Sequence, residues 1–555
     1  MKQLGKSILL SIVLPVVFTT TGYGSDILRQ SSTSSTSTGS GSSTSTSSSS
    51  PVASVSSPAQ DLLARTAQAI AAVQAMQIAA HSTAASGANN LGLDPNHAGL
   101  TLPNVPNGLV LGGLQPAGAA NSSFWQGATN PTQTVSNGQT TVSITQTSQQ
   151  ALLNWNTFNI GKNTTLTFDQ SAGGANVSQW IAFNTIKDPS GIPSQILGNI
   201  VAQGQVYLLN GNGIIFGGSS QVNVGSLVAT SLPINTNLVS TGLFNNPDQQ
   251  FLFSSVPIAA GVNGTPAFNP SPAQTPTGTP GDITVQPGAI IASTTSASNS
   301  GGLIALYGTN VNNGGTISSP DGQTILAAGQ QVGLAPHNSN DPTLRGLDVY
   351  VGTGGGTVTN LANGWINAPF GNVTIAGKSI NQLGAITSLT SVALNGRIDL
   401  LSAYDSVSGG GYSGVPAFLP STTGSIIFGP SSITQIIPNI SDTTDTVVGT
   451  QLALSSQINA TALSIYAGSN ANIIAPSGSI NFQAGNYYVT GTGAFALNQF
   501  AYTNGQIYID TGATVSAAGS SNVNASVAEN IISVQLLGPE LANSPLQQNL
   551  SLIHI

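Results

Sequence analysis

QGQVYLLNGNGIIFGGSSQVNVGSL, residues 203–227, is the stretch whose reading decides the fold. Val206 and Leu208 stand two apart, and Ile214 and Phe216 do so again after Asn210-Gly211-Asn212-Gly213. Alternation at period two predicts short strands, and paired Asn-Gly predicts a turn between them. The stretch holds no charged residue, so it offers no acid, base or cation for chemistry. It reads as a building unit.

The unit recurs. A glycine followed by apolar residues two apart returns at Gly281-Asp-Ile283-Thr-Val285, Gly346-Leu-Asp-Val349-Tyr-Val351, Gly371-Asn-Val373-Thr-Ile375 and Gly396-Arg-Ile398-Asp-Leu400. Further copies begin at Gly424, Gly478 and Gly505, with looser ones at Gly302 and Gly322. Spacing of about 20–28 residues points to a solenoid, because propeller blades need about 40–50 and leucine-rich repeats need a leucine ladder that is missing. A parallel β-helix remains, with three short strands per coil and Val, Ile and Leu stacked inside. Residues 125–555 would make about 20 coils, a rod of roughly 90–100 Å at strand spacing. Asn and Thr at the turns would stack in hydrogen-bonded ladders.

Composition agrees with one long repetitive body. Charged residues are 5% of 555, hydrophobic residues 39%, and glycine numbers 65. Low charge with ample apolar content excludes bulk disorder. The net charge is −8, and no Lys or Arg stands between Lys187 and Arg345. Such a surface cannot neutralise a run of phosphates, which excludes nucleic-acid binding. Cysteine is absent, so neither disulfides nor thiolate chemistry are available.

The N-terminal side divides into segments. Lys2 and Lys6 precede an apolar run at 8–18, then Gly22 and Gly24, the pattern of a secretory signal over 1–24. That run is too short to span a bilayer. Residues 25–57 form a linker, all Ser, Thr and Gly over 31–50. Residues 58–81 predict an amphipathic helix with Pro58 in the first turn and a stripe of Leu62, Thr66, Ala69, Val73, Met76 and Ala80. That stripe suits docking on the body better than an oligomerising helix. Residues 82–124 read as an extended connection.

The motifs Asn154-Trp-Asn-Thr-Phe-Asn-Ile-Gly161, Phe168-Asp-Gln170, Ala182-Phe-Asn184, Ser194-Gln-Ile-Leu-Gly198, Gly204-Gln-Val-Tyr-Leu208, Asn210-Gly-Asn-Gly-Ile214 and Phe216-Gly217 occur in that order. Over about 125–235 they resemble the secretion domain of filamentous haemagglutinin-type exoproteins of two-partner secretion. The resemblance implies an all-β, right-handed parallel β-helix, here with one N-terminal α-helix. It also implies a chain secreted through the periplasm to the cell surface. A dedicated outer-membrane transporter would be its partner, recognising the domain through periplasmic domains. Where the family carries Asn-Pro-Asn-Gly, this chain has Asn210, Gly211, Asn212 and Gly213, a candidate secretion-motif turn without proline's fixed φ. Trp155, Phe158, Phe168, Phe183, Val206, Leu208, Ile214 and Phe216 are the candidate core of the domain. A second family motif, Asn-Pro-Asn-Leu, is absent.

Little here points to chemistry. Histidine stands only at 81, 97, 337 and 554, without metal spacing, and Glu only at 529 and 540. The densest charge cluster, Asp341, Arg345 and Asp348, reads as a solvated loop. Gly377-Lys378-Ser379 resembles the end of a phosphate loop, but Gly371 stands one residue too far upstream and no helical pattern follows. The expectation is a non-enzymatic surface adhesin with no cofactor, no metal, no stable membrane span and an unidentified surface ligand. The alternatives are a carbohydrate-active β-helix enzyme, or the N-terminal part of a contact-dependent toxin. Residues 236–555 are expected to be repeats of a truncated chain, since no polar cap closes the sequence.

Overall fold

A computed structural model describes residues 58–89, 91–92, 101–241, 243–271, 279–294, 301–337, 345–391, 394–439, 455–519, 532–534 and 552–554. The expected signal segment, 1–24, and linker, 25–57, lie outside them. The chain forms two compact units, Met1–Ala69 and Ile70–Ile555. In the first, the described residues are helical, with Asp61 in the first turn of the helix Pro58–Ser86. In the second, the remaining turns of that helix accompany nearly all-strand structure.

The 203–227 stretch is one complete coil of a parallel β-helix. Gln205–Asn210, Ile214–Phe216 and Gln221–Val224 are three successive strands that enter three different sheets. The next strand, Ser226–Thr230, lies back on the first, in the register Val206 to Leu227 and Leu208 to Ala229. The Asn-Gly turn is therefore a corner between sheets and not a hairpin. The two strands it joins do not pair with each other.

Among the described residues the three sheets hold 12, 9 and 12 strands, of which 10, 9 and 11 are parallel strands laid down by repetition of this coil. Eleven rungs at about 4.8 Å make roughly 50 Å, so the expectation of about 20 coils is too high. Two features of the sequence explain the overcount. The glycine motif opens strands of more than one sheet: Gly371 and Gly396 precede the first sheet, Gly281 and Gly424 the second. At Gly346 it opens Leu347–Val351, which belongs to an antiparallel three-stranded sheet outside the coil. Long excursions also leave the stack, between Ser226–Thr230 and Ile283–Val285 and between Arg397–Leu401 and Ser425–Phe428.

Side-chain alternation puts alternate residues in the lumen. Trp155, Phe158, Phe168, Val206, Leu208, Ile214 and Phe216 all belong to this continuous core. Phe183 does not. It is buried, but in a second cluster with Tyr207, Leu209, Val228, Phe253 and Tyr307. There the excursions cover the outer face of the first sheet, which lets that strand run apolar on both faces. An amide ladder continues the lumen in the second sheet. Asn313 Nδ2 donates to Asn360 Oδ1 at 2.8 Å, and Asn360 Nδ2 to Gln382 Oε1 at 2.8 Å, all three fully buried.

The early end of the stack is closed by antiparallel strands, of which Leu114–Pro116 lies within the expected extended connection. Leu114–Pro116 and Trp125–Gln126 pair with Gln150–Phe158, and Thr132–Ser136 with Gln139–Thr145. Trp125, Trp155 and Phe158 pack edge to face with centroids 5.1 Å apart. The Trp155 indole N–H donates to Asn184 Oδ1 at 2.9 Å, so its burial leaves no donor unpaired.

The helix also departs from expectation. It runs to Ser86, beyond His81, with Thr83 Oγ1 donating to Ala79 O at 2.9 Å. In the second unit its buried line is Val73 and Gln77, while Met76 is half exposed. Gln77 is polar yet buried because its amide is bonded to the backbone of Gly288 and Gly314.

Candidate functional site

The 210–213 turn follows from local chemistry. Asn210 ends a strand, and its side-chain Oδ1 accepts from Asn212 N at 3.0 Å, an Asx turn. Gly213 N donates to Asn210 O at 2.9 Å, closing the β-turn. Neither Gly211 nor Asn212 has positive φ, as a type I turn requires, so the missing proline leaves the turn type intact. Gly213 follows at φ 97, and an added Cβ would lie 2.5 Å from Asp282 O.

The turn is wedged between its neighbours. On one side, Asn210 Nδ2 donates to Ser194 Oγ at 2.9 Å and Asn212 Nδ2 to Asp188 O at 2.7 Å. On the other, Gly281 N donates to Gly211 O at 2.8 Å and Ile214 N to Asp282 O at 3.1 Å. Asn210 and Asn212 are almost fully buried. These four residues act as a stacking corner, and every polar contact they make is to backbone or to Ser194. None is an ionisable group.

Of the expected charge cluster, Asp341 lies outside the described residues. Asp348 Oδ1 is 2.7 Å from His337 Nδ1, and Arg397 Nε is 2.7 Å from Asp399 Oδ2. Asp399 Oδ1 also accepts from Asn459 Nδ2 at 2.8 Å. Arg345 reaches carbonyl oxygens of Asp321, Phe370 and Asn395. Desolvation pushes its guanidinium below the usual value, and the Asp321 carboxylate opposes that shift. Arg345 ties its segment to corners of the stack, His337 and Asp348 join the two sides of the antiparallel excursion, and Arg397, Asp399 and Asn459 link neighbouring residues and rungs of the first sheet. His337 and Arg397 were not in the expected cluster, since they meet it only through the fold.

The Lys-Ser segment is structural as well. Ser379 opens the strand Ser379–Gln382, and Lys378 Nζ lies 5.7 Å from the centre of the Tyr404 ring. Among the described residues no group of three or more His, Cys, Asp or Glu could hold a metal ion. No described helix is long and apolar enough to cross a membrane.

The family model for the TPS secretion domain, the two-partner secretion domain, matches residues 124–411. The chain belongs to this family. The match begins just before the capping strand Trp125–Gln126 and runs well past the motif-dense 125–235. TPS-domain chains are secreted through the periplasm to the cell surface, and so is this one. It is 36% identical over 90 residues to a heme/hemopexin-binding protein of Haemophilus influenzae. It is 35% identical over 98 residues to the protein of that name from the Rd strain of the same species. These alignments take 16% and 18% of the chain and span 9% and 10% of those relatives. Among solved structures it is similar to the secretion domain of HMW1 from Haemophilus influenzae, with 20% identity and a TM-score of 0.43. That alignment covers 71% of this chain and 84% of the other.

Proposed function

We propose that this chain is a non-catalytic surface exoprotein of the adhesin type, exported by a dedicated outer-membrane transporter. The transporter's periplasmic domains recognise residues 125–235, and the chain folds coil upon coil outside the cell. The observation that carries this reading is the family match over 124–411. The physical chemistry supports it. A cysteine-free chain cannot be cross-linked before it is threaded, and local coil-on-coil contacts let folding proceed from one end. The Arg345, His337–Asp348 and Arg397–Asp399 groups bond to backbone, to each other or to a neighbouring strand, which supports a structural body in preference to a carbohydrate-active enzyme.

The 210–213 turn is the secretion motif in this reading. Asn210→Leu with Asn212→Leu removes its side-chain bonds to Ser194 and Asp188. Exported protein is then expected to fall at least several-fold in a cell-fractionation assay. Export at the wild-type level would remove the turn from the secretion machinery.

A further inference from the structure

Residues 70–86 of the helix lie along one corner of the stack, where each coil turns from the second sheet into the third. Their contacts run across successive coils. Lys162 Nζ donates to Ala85 O at 3.2 Å and to Gly87 O. The His81 Nδ1–H is shared between Gly218 O at 3.0 Å and Gly288 O at 2.8 Å. This sets the tautomer, and Nε2 is left to accept from Gln221 Nε2 at 3.3 Å. Gln77 Oε1 accepts from Gly288 N at 2.6 Å, while its Nε2 donates to Gly314 O at 2.7 Å and to Asn363 O.

Geometry explains why a helix can read this column. Its pitch of about 5.4 Å is close to the coil spacing of about 4.8 Å, so residues one turn apart meet neighbouring corners. His81 bridges the corners at Gly218 and Gly288, and Gln77 those at Gly288, Gly314 and Asn363. The corner glycines make room: a Cβ on Gly288, at φ 91, would stand 2.4 Å from His81 N. The helix turns run opposite to the order in which the coils are laid, since Ala85 meets the early coil at Lys162 and Gln77 the later ones.

We propose that residues 70–86 are a latch that closes only after the coil ending at Asn363 has formed. Gln77 and Asn363 are 286 positions apart, so most of the binding site does not exist when the helix is made. In a chain that folds from one end, the latch stays open while the early coils stack. It then clamps the corners from Lys162 to Asn363 together. Its role during export rests on the secretion reading above. The docking order does not, and it is measurable in purified protein.

The test is hydrogen exchange on the full chain. Gln77→Ala with His81→Ala is expected to speed amide exchange over 70–86 about tenfold or more. Strands Gln205–Asn210 and Gln323–Ala328 should remain protected. Asn360→Ala breaks the ladder beside the far corner without touching the helix, and should release the latch as well. If that variant fails to fold, Gly288→Ala serves, through the clash with His81. In pulse-labelled refolding of the wild type, helix amides should gain protection no earlier than Trp365–Pro369. Helix protection that precedes that strand, or that survives the double substitution, would overturn the latch. A latch that behaves as described in protein that no transporter exports would separate this inference from the functional reading.

Discussion

The two ends of the stack share sheets and register but not burial. At the early end Trp125, Trp155 and Leu114 are fully buried under antiparallel strands. At the last described coil, Ile507 and Ile509 continue the inward column of Ile465 and Ala467, yet they are 47% and 50% exposed. Val515, in register above Ile473, is 39% exposed. The same residue type at the same position in a coil is thus buried or not according to its neighbours. The lumen of a solenoid is a property of two adjacent rungs, and stability accumulates rung by rung.

This contrast can be broken by measurement. Trp155→Ala should give the largest loss, about 3–5 kcal/mol, because it empties a closed end and leaves Asn184 Oδ1 without its donor. Chemical denaturation of the purified chain measures it, and a loss below about 1 kcal/mol would mean that the cap does not hold the stack. Leu208→Ala, in a coil covered on both sides, should cost about 2–4 kcal/mol in the same assay. Ile509→Ala should cost less than about 1 kcal/mol, since half of the side chain is already in water. Equal costs at Leu208 and Ile509 would contradict the neighbour argument.

A smaller effect belongs to the excursions, which the contrast leaves out. Burial raises the pKa of the Asp248 carboxyl, but hydrogen bonds from Thr265 and Asn263 outweigh it and hold the group below its ordinary value. A carboxylate depressed in the folded state stabilises above its unfolded pKa of about 3.9, and that contribution fades as pH falls through the folded value. The loop around Asn263 should therefore loosen below about pH 4, seen as faster proteolysis there, while the stack keeps its strand signal. Asp248→Asn should lessen that pH dependence.

Much of the architecture was legible because it is periodic. Val206, Leu208, Ile214 and Phe216 alternate, and the structure puts all four in the lumen. Coil number was less legible. A glycine before alternating residues marks a strand start without saying which sheet the strand joins, so Gly281, Gly346 and Gly371 looked alike. Phe183 and Tyr207 show the same limit from the other side. Alternation separates two faces, but it does not say that an excursion far along the chain will bury the outer one. Gln77 was hidden because a buried amide is recognised only once its partners, Gly288, Gly314 and Asn363, are in place. The 210–213 turn was visible as a turn, while its wedging between Ser194 and Asp282 needed the stack.

The export claim is tested most directly by cell fractionation with and without the partner transporter. With the transporter present, the account predicts the chain at the cell surface or in the medium. Without it, the chain should be retained in the periplasm and degraded there. Undiminished surface display in the transporter's absence would contradict the account.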